Sequence, residues 1–130
     1  MRYTDAPDVK HLVEEAIAKL DFTHIPPAKI LCMRSHGSKA RWTTARIHSL
    51  SQAWQTALGL EPRYLIEVIA ERYDGLNQQE KEKTIIHELL HIPMSFHGGF
   101  RPHKGWVTKR RIDELYRQLK DHDRIRGIPS

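Results

Sequence analysis

The sequence predicts an α+β fold, with helices packed on a small mixed sheet. Three observations lead there. Val9, Leu12, Val13, Ala16, Ile17 and Leu20 recur at helical spacing near the start of the chain. Tyr64-Leu65-Ile66-Glu67-Val68-Ile69-Ala70 is rich in β-branched and aromatic residues, with one charge in its middle. Asn77, followed by Glu80, opens a well-signalled helix whose buried side is Ile85, Ile86, Leu89 and Leu90.

In chain order, the first helix is expected over Asp8–Leu20, with Asp8 able to cap it. Pro26-Pro27 forbid its continuation. A short strand follows over Lys29–Arg34, with Ile30 and Cys32 on one face, and Gly37-Ser38 makes a turn. Trp42–Ile47 has strand composition, and Leu50–Leu58 reads as a helix that stops at Gly59. The strand over Tyr64–Ala70 runs on through Glu71-Arg72-Tyr73 to a turn at Asp74-Gly75. Pro93 ends the helix begun at Asn77, because its ring removes a donor and clashes with the carbonyl four residues back. Gly98-Gly99 and Pro102 mark an irregular segment. A last amphipathic helix is expected from about Val107 to Lys120, with Ile112, Leu115, Tyr116 and Leu119 inward.

A length of 130 residues fits one domain over 1–130 and allows a real hydrophobic core. No apolar run approaches the roughly 20 residues a membrane span needs, so no membrane partner is expected. The first residues carry an acid and do not read as a signal peptide. A lone cysteine, Cys32, rules out an intrachain disulfide. Together these features point to the cytoplasm. The net charge of +5 is unevenly placed. Residues 1–100 hold 12 basic and 12 acidic side chains, whereas 101–130 hold nine basic and four acidic ones. Such a basic terminal region can contact phosphate backbones, although a solvated helix face is the plainer explanation.

The chemistry concentrates in His87-Glu88-Leu89-Leu90-His91. Histidines four apart on a helix project from one face, so two imidazoles can converge on one tetrahedral zinc ion. Glu88 lies about 100° round the helix from His87. It is therefore a poor ligand but well placed as a general base toward a zinc-bound water. A catalytic zinc needs a third protein ligand and an open fourth position. His97 stands six residues after His91, the spacing of the metzincins. Those enzymes place a glycine three residues after the second histidine, where this chain has Met94, and they need a later methionine that is absent here. His103 lies beyond Gly98-Gly99, whose freedom lets a loop fold back under the helix. It is the preferred third ligand. His97, or a carboxylate from Asp113 or Glu114, is the alternative.

The run His87-Glu88-Leu89-Leu90-His91-Ile92-Pro93, with Gly98-Gly99-Phe100-Arg101-Pro102-His103, resembles a family of small metallopeptidases of archaea and phages. That family is itself similar to the SprT-like zincins. The likeness extends upstream through Gly37–Arg41, Trp54–Gly59 and the Tyr64–Ala70 strand, covering most of 28–120. It implies a minimal zincin-like domain and a third ligand in the Pro-His segment, which again selects His103. SprT-like relatives include proteases acting on DNA-attached proteins, which gives the basic C-terminal region added interest. In such a fold the Tyr64–Ala70 strand either borders the cleft, where a peptide substrate adds to it, or lies inside the sheet.

The remaining candidates are weaker. Cys32, in an apolar strand, reads as a buried small hydrophobe. Trp42, Trp54 and Trp106 can stack on bases, but core packing is expected for at least two of them. Arg34, Lys39, Arg41 and Arg46 surround a turn and read as a solvated loop. Tyr73 or Tyr116 can stabilise an oxyanion. His11, His24, His36, His48 and His122 have no ligand spacing. The expected function is a zinc-dependent peptidase, with His87, His91 and His103 on the metal and Glu88 as base. The alternative is a non-enzymatic zinc-stabilised module that binds DNA or a protein through its basic tail. A purely structural zinc, held by both His97 and His103, is a third possibility.

Overall fold

A computed structural model describes residues 1–125. Four strands form one mixed sheet: β1 (Arg2–Asp5), β2 (Ile30–His36), β3 (Ala45–Ser49) and β4 (Tyr64–Ile69). Their spatial order is β1-β2-β4-β3. β2 and β4 run parallel in the centre, and β1 and β3 pair antiparallel at the two edges. The helices are α1 (Pro7–Lys19), α2 (Gln52–Leu58), α3 (Ala70–Tyr73), α4 (Gln78–Leu90) and α5 (Lys109–Ile125).

The α+β expectation holds. The parallel register of β2 and β4 places Ile30 beside Tyr64 and Cys32 beside Ile66. These side chains meet Val9, Val13 and Ala16 of α1, Ile86 and Leu89 of α4, and Leu115 and Leu119 of α5 in one core. Alternation along a strand and the 3.6-residue helical period thus bury matching faces. Packing of α4 on α1, α5 and the edge strand β3 fixes the helix that carries the histidine pair.

Several local expectations are corrected. The first strand, β1, carries no hydrophobic pattern (Arg2-Tyr3-Thr4-Asp5), and only its pairing with β2 makes it a strand. The first helix is capped at Ala6 with Pro7 in its first turn, so Asp8 sits inside it. There Asp8 meets the helix dipole favourably and pairs with Arg34 at 2.8 Å. Glu71-Arg72-Tyr73 form a helical turn rather than a strand extension. The last helix begins at Lys109, two residues later than expected, and is described through Ile125.

Of the two positions open to the Tyr64–Ala70 strand, the fold takes the interior one. β4 is paired on both sides, which makes it the interior strand, and β3 is the edge. The edge strand is also tied down by side chains. Glu67 of β4 is 1% exposed. Its Oε1 accepts from Arg46 Nε at 3.2 Å and bonds His48 Nε2 at 2.8 Å, both from β3. A buried carboxylate needs such partners.

The four basic residues around the first turn divide in two. Arg34 is bound by Asp8 and Asp74, and Arg46 by Glu67. Lys39 and Arg41 make no ion pair among the described residues. All three tryptophans are substantially exposed, at 89% for Trp42, 60% for Trp54 and 48% for Trp106. The expectation of tryptophan core packing is therefore wrong. Leucine, isoleucine and valine fill the core, and the indoles lie on loops and on α2, which buries no residue.

Candidate metal centre

The Asn77 side chain accepts the Glu80 backbone N–H at 2.8 Å and starts α4 as predicted. Thirteen residues later the helix ends at Leu90, with His91 as its C-cap and Pro93 beyond. The segment from His87 to His91 therefore forms the last turn of α4. His87 and His91 face each other there, with Nε2 atoms 3.4 Å apart.

The third imidazole arrives from the loop after α4. Tyr64, at the start of β4, is 1% exposed and anchors that loop. Its hydroxyl donates to the Gly99 carbonyl at 2.7 Å and accepts from Gly98 N–H at 3.1 Å. Phe96 and Phe100 pack on its ring, with centroids 5.1 and 5.8 Å away. Gly98 has φ +108, and a Cβ there would lie 3.1 Å from the Leu50 carbonyl oxygen, so only glycine fits. Arg101 then clasps His91 through its backbone. Its N–H donates to the His91 carbonyl at 2.7 Å, and its carbonyl accepts from His91 Nδ1 at 2.9 Å. That bond fixes the tautomer that leaves Nε2 bare.

His103 follows, its ring centroid 5.3 Å from His87 and 4.6 Å from His91. One ligand atom from each of His87, His91 and His103 lies within 4.8 Å of the others. His97 is outside this group and instead bonds the Ser95 hydroxyl at 2.5 Å. Asp113 pairs with Lys83 and Lys109, and Glu114 with Arg110, so neither carboxylate is offered to the cluster. The Gly98-Gly99 break thus brings in His103 rather than His97.

The electrostatics suit a cation. Burial, with the charges of His91 and His103, drives the His87 pKa down to about 4. Burial also lowers that of His91. Both rings are therefore neutral near pH 7, with lone pairs available to a metal. Glu88 is 6% exposed, and its Oε2 lies 3.9 Å from His87 Nε2. Burial raises its pKa to about 7. A half-titrated carboxyl beside three convergent imidazoles can accept a proton at neutral pH.

A cavity of about 520 Å³ opens on this group, walled by Thr43, Ala45, Arg46 and Ile47 on one side and by Phe100 and Arg101 on the other. The edge strand β3, not β4, is therefore the cleft wall.

The other candidates stay apart. Cys32 is buried, and that burial pushes its thiol up to about 11, which keeps it a protonated core residue. Tyr73 is fully buried and Tyr116 packs on Lys83, and neither lines the cavity that holds the histidines. His24 sits half-buried against the Ile92 carbonyl.

Two contributors were not legible in the sequence. Arg101 acts through its backbone, so its residue type carries no signal. Tyr64 acts on a segment 35 residues away. Tyr64→Phe keeps the ring packing but removes both loop hydrogen bonds. It is expected to cost about 1–2 kcal/mol in urea unfolding and to weaken metal binding. Unchanged values for both would remove Tyr64 from this role.

The fold and site define a small α+β protein with a three-histidine group able to hold a metal ion. Residues 1–126 match the family described as "Putative phage metallopeptidase", and the chain belongs to that family. It is thus by family a metallopeptidase, a class that works with a metal cofactor. No curated protein and no solved structure matches it. Among the described residues, no helix is long and apolar enough to cross a membrane.

Proposed function

We propose that the protein is a zinc-dependent peptidase of minimal zincin-like design, with His87, His91 and His103 as metal ligands and Glu88 as general base. One observation carries this: three imidazoles converge beside a buried carboxyl whose pKa is raised to about 7. The donor set fits the ion. Three nitrogen ligands leave a fourth tetrahedral position open, and an all-imidazole group suits zinc better than it suits magnesium or calcium. When bound, the ion supplies Lewis acidity, lowering the pKa of a water and polarising a carbonyl.

The chain's own residues do the rest. The Arg101 carbonyl holds His91 in register through Nδ1. Glu88 takes a proton from the attacking water and can return it to the leaving amine. Burial keeps the Glu88 carboxyl close to neutral pH, where both transfers are near balance. The unpaired side of β3 offers backbone donors and acceptors to an extended peptide, which would lie across the cleft as an added strand.

The test uses a mixed library of internally quenched peptides and the zinc-loaded protein. Hydrolysis is expected, with loss in 1,10-phenanthroline and return on adding zinc. Equal hydrolysis with and without the chelator would overturn the proposal.

A second reading treats the protein as a module that binds DNA through its basic C-terminal region. The observation in its favour is that Arg101, Lys104, Arg111 and Arg117 make no ion pair among the described residues. Against it, Lys109, Arg110, Lys120 and Arg124 are each engaged by a carboxylate, which removes much of the apparent excess. Salt-dependent retention of duplex DNA, without hydrolysis of any peptide, would select this reading. A cytoplasmic location accompanies either role.

A further inference from the structure

We propose that Trp42 sets the substrate preference of the cleft by stacking on an aromatic side chain next to the scissile bond. This rests on the peptidase reading above and adds to it a class of substrate residue.

Among the described residues, Trp42 is the most exposed of the large apolar side chains, at 89%. An indole left in water forgoes one of the largest burial gains a side chain can make, so its placement calls for a reason. The loop that carries it is fastened on both sides. The Ala40 carbonyl accepts from Arg72 Nε at 3.4 Å, and the Ala40 N–H donates to the Ser38 hydroxyl at 3.2 Å. Beyond the tryptophan, the Thr44 carbonyl accepts the Ile69 N–H at 2.9 Å. The indole is therefore presented by a pinned segment that leads directly into β3.

What it faces is the second observation. Trp42 lines a cavity of about 330 Å³ together with Thr43, Thr44, Thr84 and Ile112, and His87 and Glu88 line it too. A peptide lying along β3 with its scissile carbonyl at Glu88 would carry a neighbouring side chain toward this cavity, which shares Thr43, Ala45, His87 and Glu88 with the larger one. The other exposed tryptophans have no such position. Trp54 lies on α2, and the Trp106 ring is covered by the Arg101 guanidinium at 4.9 Å.

The lining decides the ligand class. Among the described residues, Lys83 is the one lysine or arginine in this cavity wall, and Asp113 holds its ammonium at 3.0 Å. An acidic side chain would have to displace that carboxylate. The lining is otherwise uncharged outside His87 and Glu88, and its apolar part is the Trp42 indole with Ala45 and Ile112, a surface for a flat ring in offset or edge-on contact.

The experiment scans one phenylalanine through each position of a fluorescein-labelled alanine-serine host peptide. Binding is measured to zinc-loaded Glu88→Gln protein, alone and combined with Trp42→Ala or Trp42→Phe, and cleavage is measured with the parent protein. At one position phenylalanine is expected to bind about tenfold tighter than alanine. That advantage should fall to within about twofold in Trp42→Ala and largely persist in Trp42→Phe. The absence of any aromatic advantage, or an advantage untouched by Trp42→Ala, would overturn the assignment. A Trp42-dependent preference without cleavage by the parent protein would keep this assignment and sink the catalytic reading. Cleavage without aromatic preference would do the reverse.

Discussion

Glu88→Gln is expected to keep the metal and to lose turnover by about 10²–10⁴-fold, the usual worth of a positioned general base. Glutamine matches glutamate in shape, so the last turn of α4 and its imidazoles should be undisturbed. What disappears is a carboxyl, 6% exposed, that can take a proton near pH 7. Bound zinc per chain and initial rates on a quenched peptide check the two halves separately. Retained turnover would remove Glu88 from the mechanism. A second effect is opposite in direction. In the metal-free protein, burial raises the Glu88 pKa from 4.5 to about 7, so the folded state binds this proton more tightly than the unfolded state does. Stability therefore falls as pH rises through 4.5 to 7. Glu88→Gln escapes that loss, and without metal it should exceed the parent chain at pH 8 by about 2–4 kcal/mol. The advantage should vanish below pH 4.5, where Glu88 is protonated in both states. Chemical denaturation at the two pH values measures it. His87 works in the opposite sense, with its pKa lowered to about 4, but both chains carry it and its contribution cancels in the comparison.

His103→Ala is expected to weaken zinc affinity by at least about 100-fold, a floor taken from the loss seen when mere supporting partners of ligands are removed. His103 is exposed and outside the hydrophobic core, so the metal-free protein should unfold at an unchanged denaturant concentration. Zinc should then stop raising the melting temperature, because a ligand stabilises only in proportion to its occupancy. Competition against a chelating dye and thermal unfolding with and without zinc give the two readings. His97→Ala is the control. It lies outside the convergent group and should bind zinc like the parent. If His97→Ala lost the metal and His103→Ala did not, the ligand assignment would be reversed.

The sequence by itself determined the elements that rest on local signals. The start of α4 is legible because Asn77 caps it through a bond to a residue three positions on, and its end because Pro93 cannot continue it. The His87–His91 pair is equally local, since the helical repeat alone puts both rings on one face. The Gly98-Gly99 signal pointed past His97 to His103, the residue that the fold brings beside the pair.

What only the tertiary structure decided involves partners far along the chain. β1 has no pattern of its own and exists through β2. β4 proved to be the interior strand because both its edges find partners, which left β3, the less regular segment, to wall the cleft. The tryptophans lie outside the core because smaller apolar residues already fill it, and Trp42 acquired a place beside Glu88. The third histidine shows both sides of this division. Residue type and spacing narrowed the choice to a few side chains. The placement of His103 beside the pair came from Tyr64 and the Arg101 backbone, whose hydrogen bonds hold the loop against β4 and the end of α4. Hydrogen bonds between a strand and a loop more than 30 residues apart leave no periodicity to read. The histidine pair was therefore open to inspection from the start, and His103 was the preferred third member, whereas the convergence of all three became visible only in the folded chain.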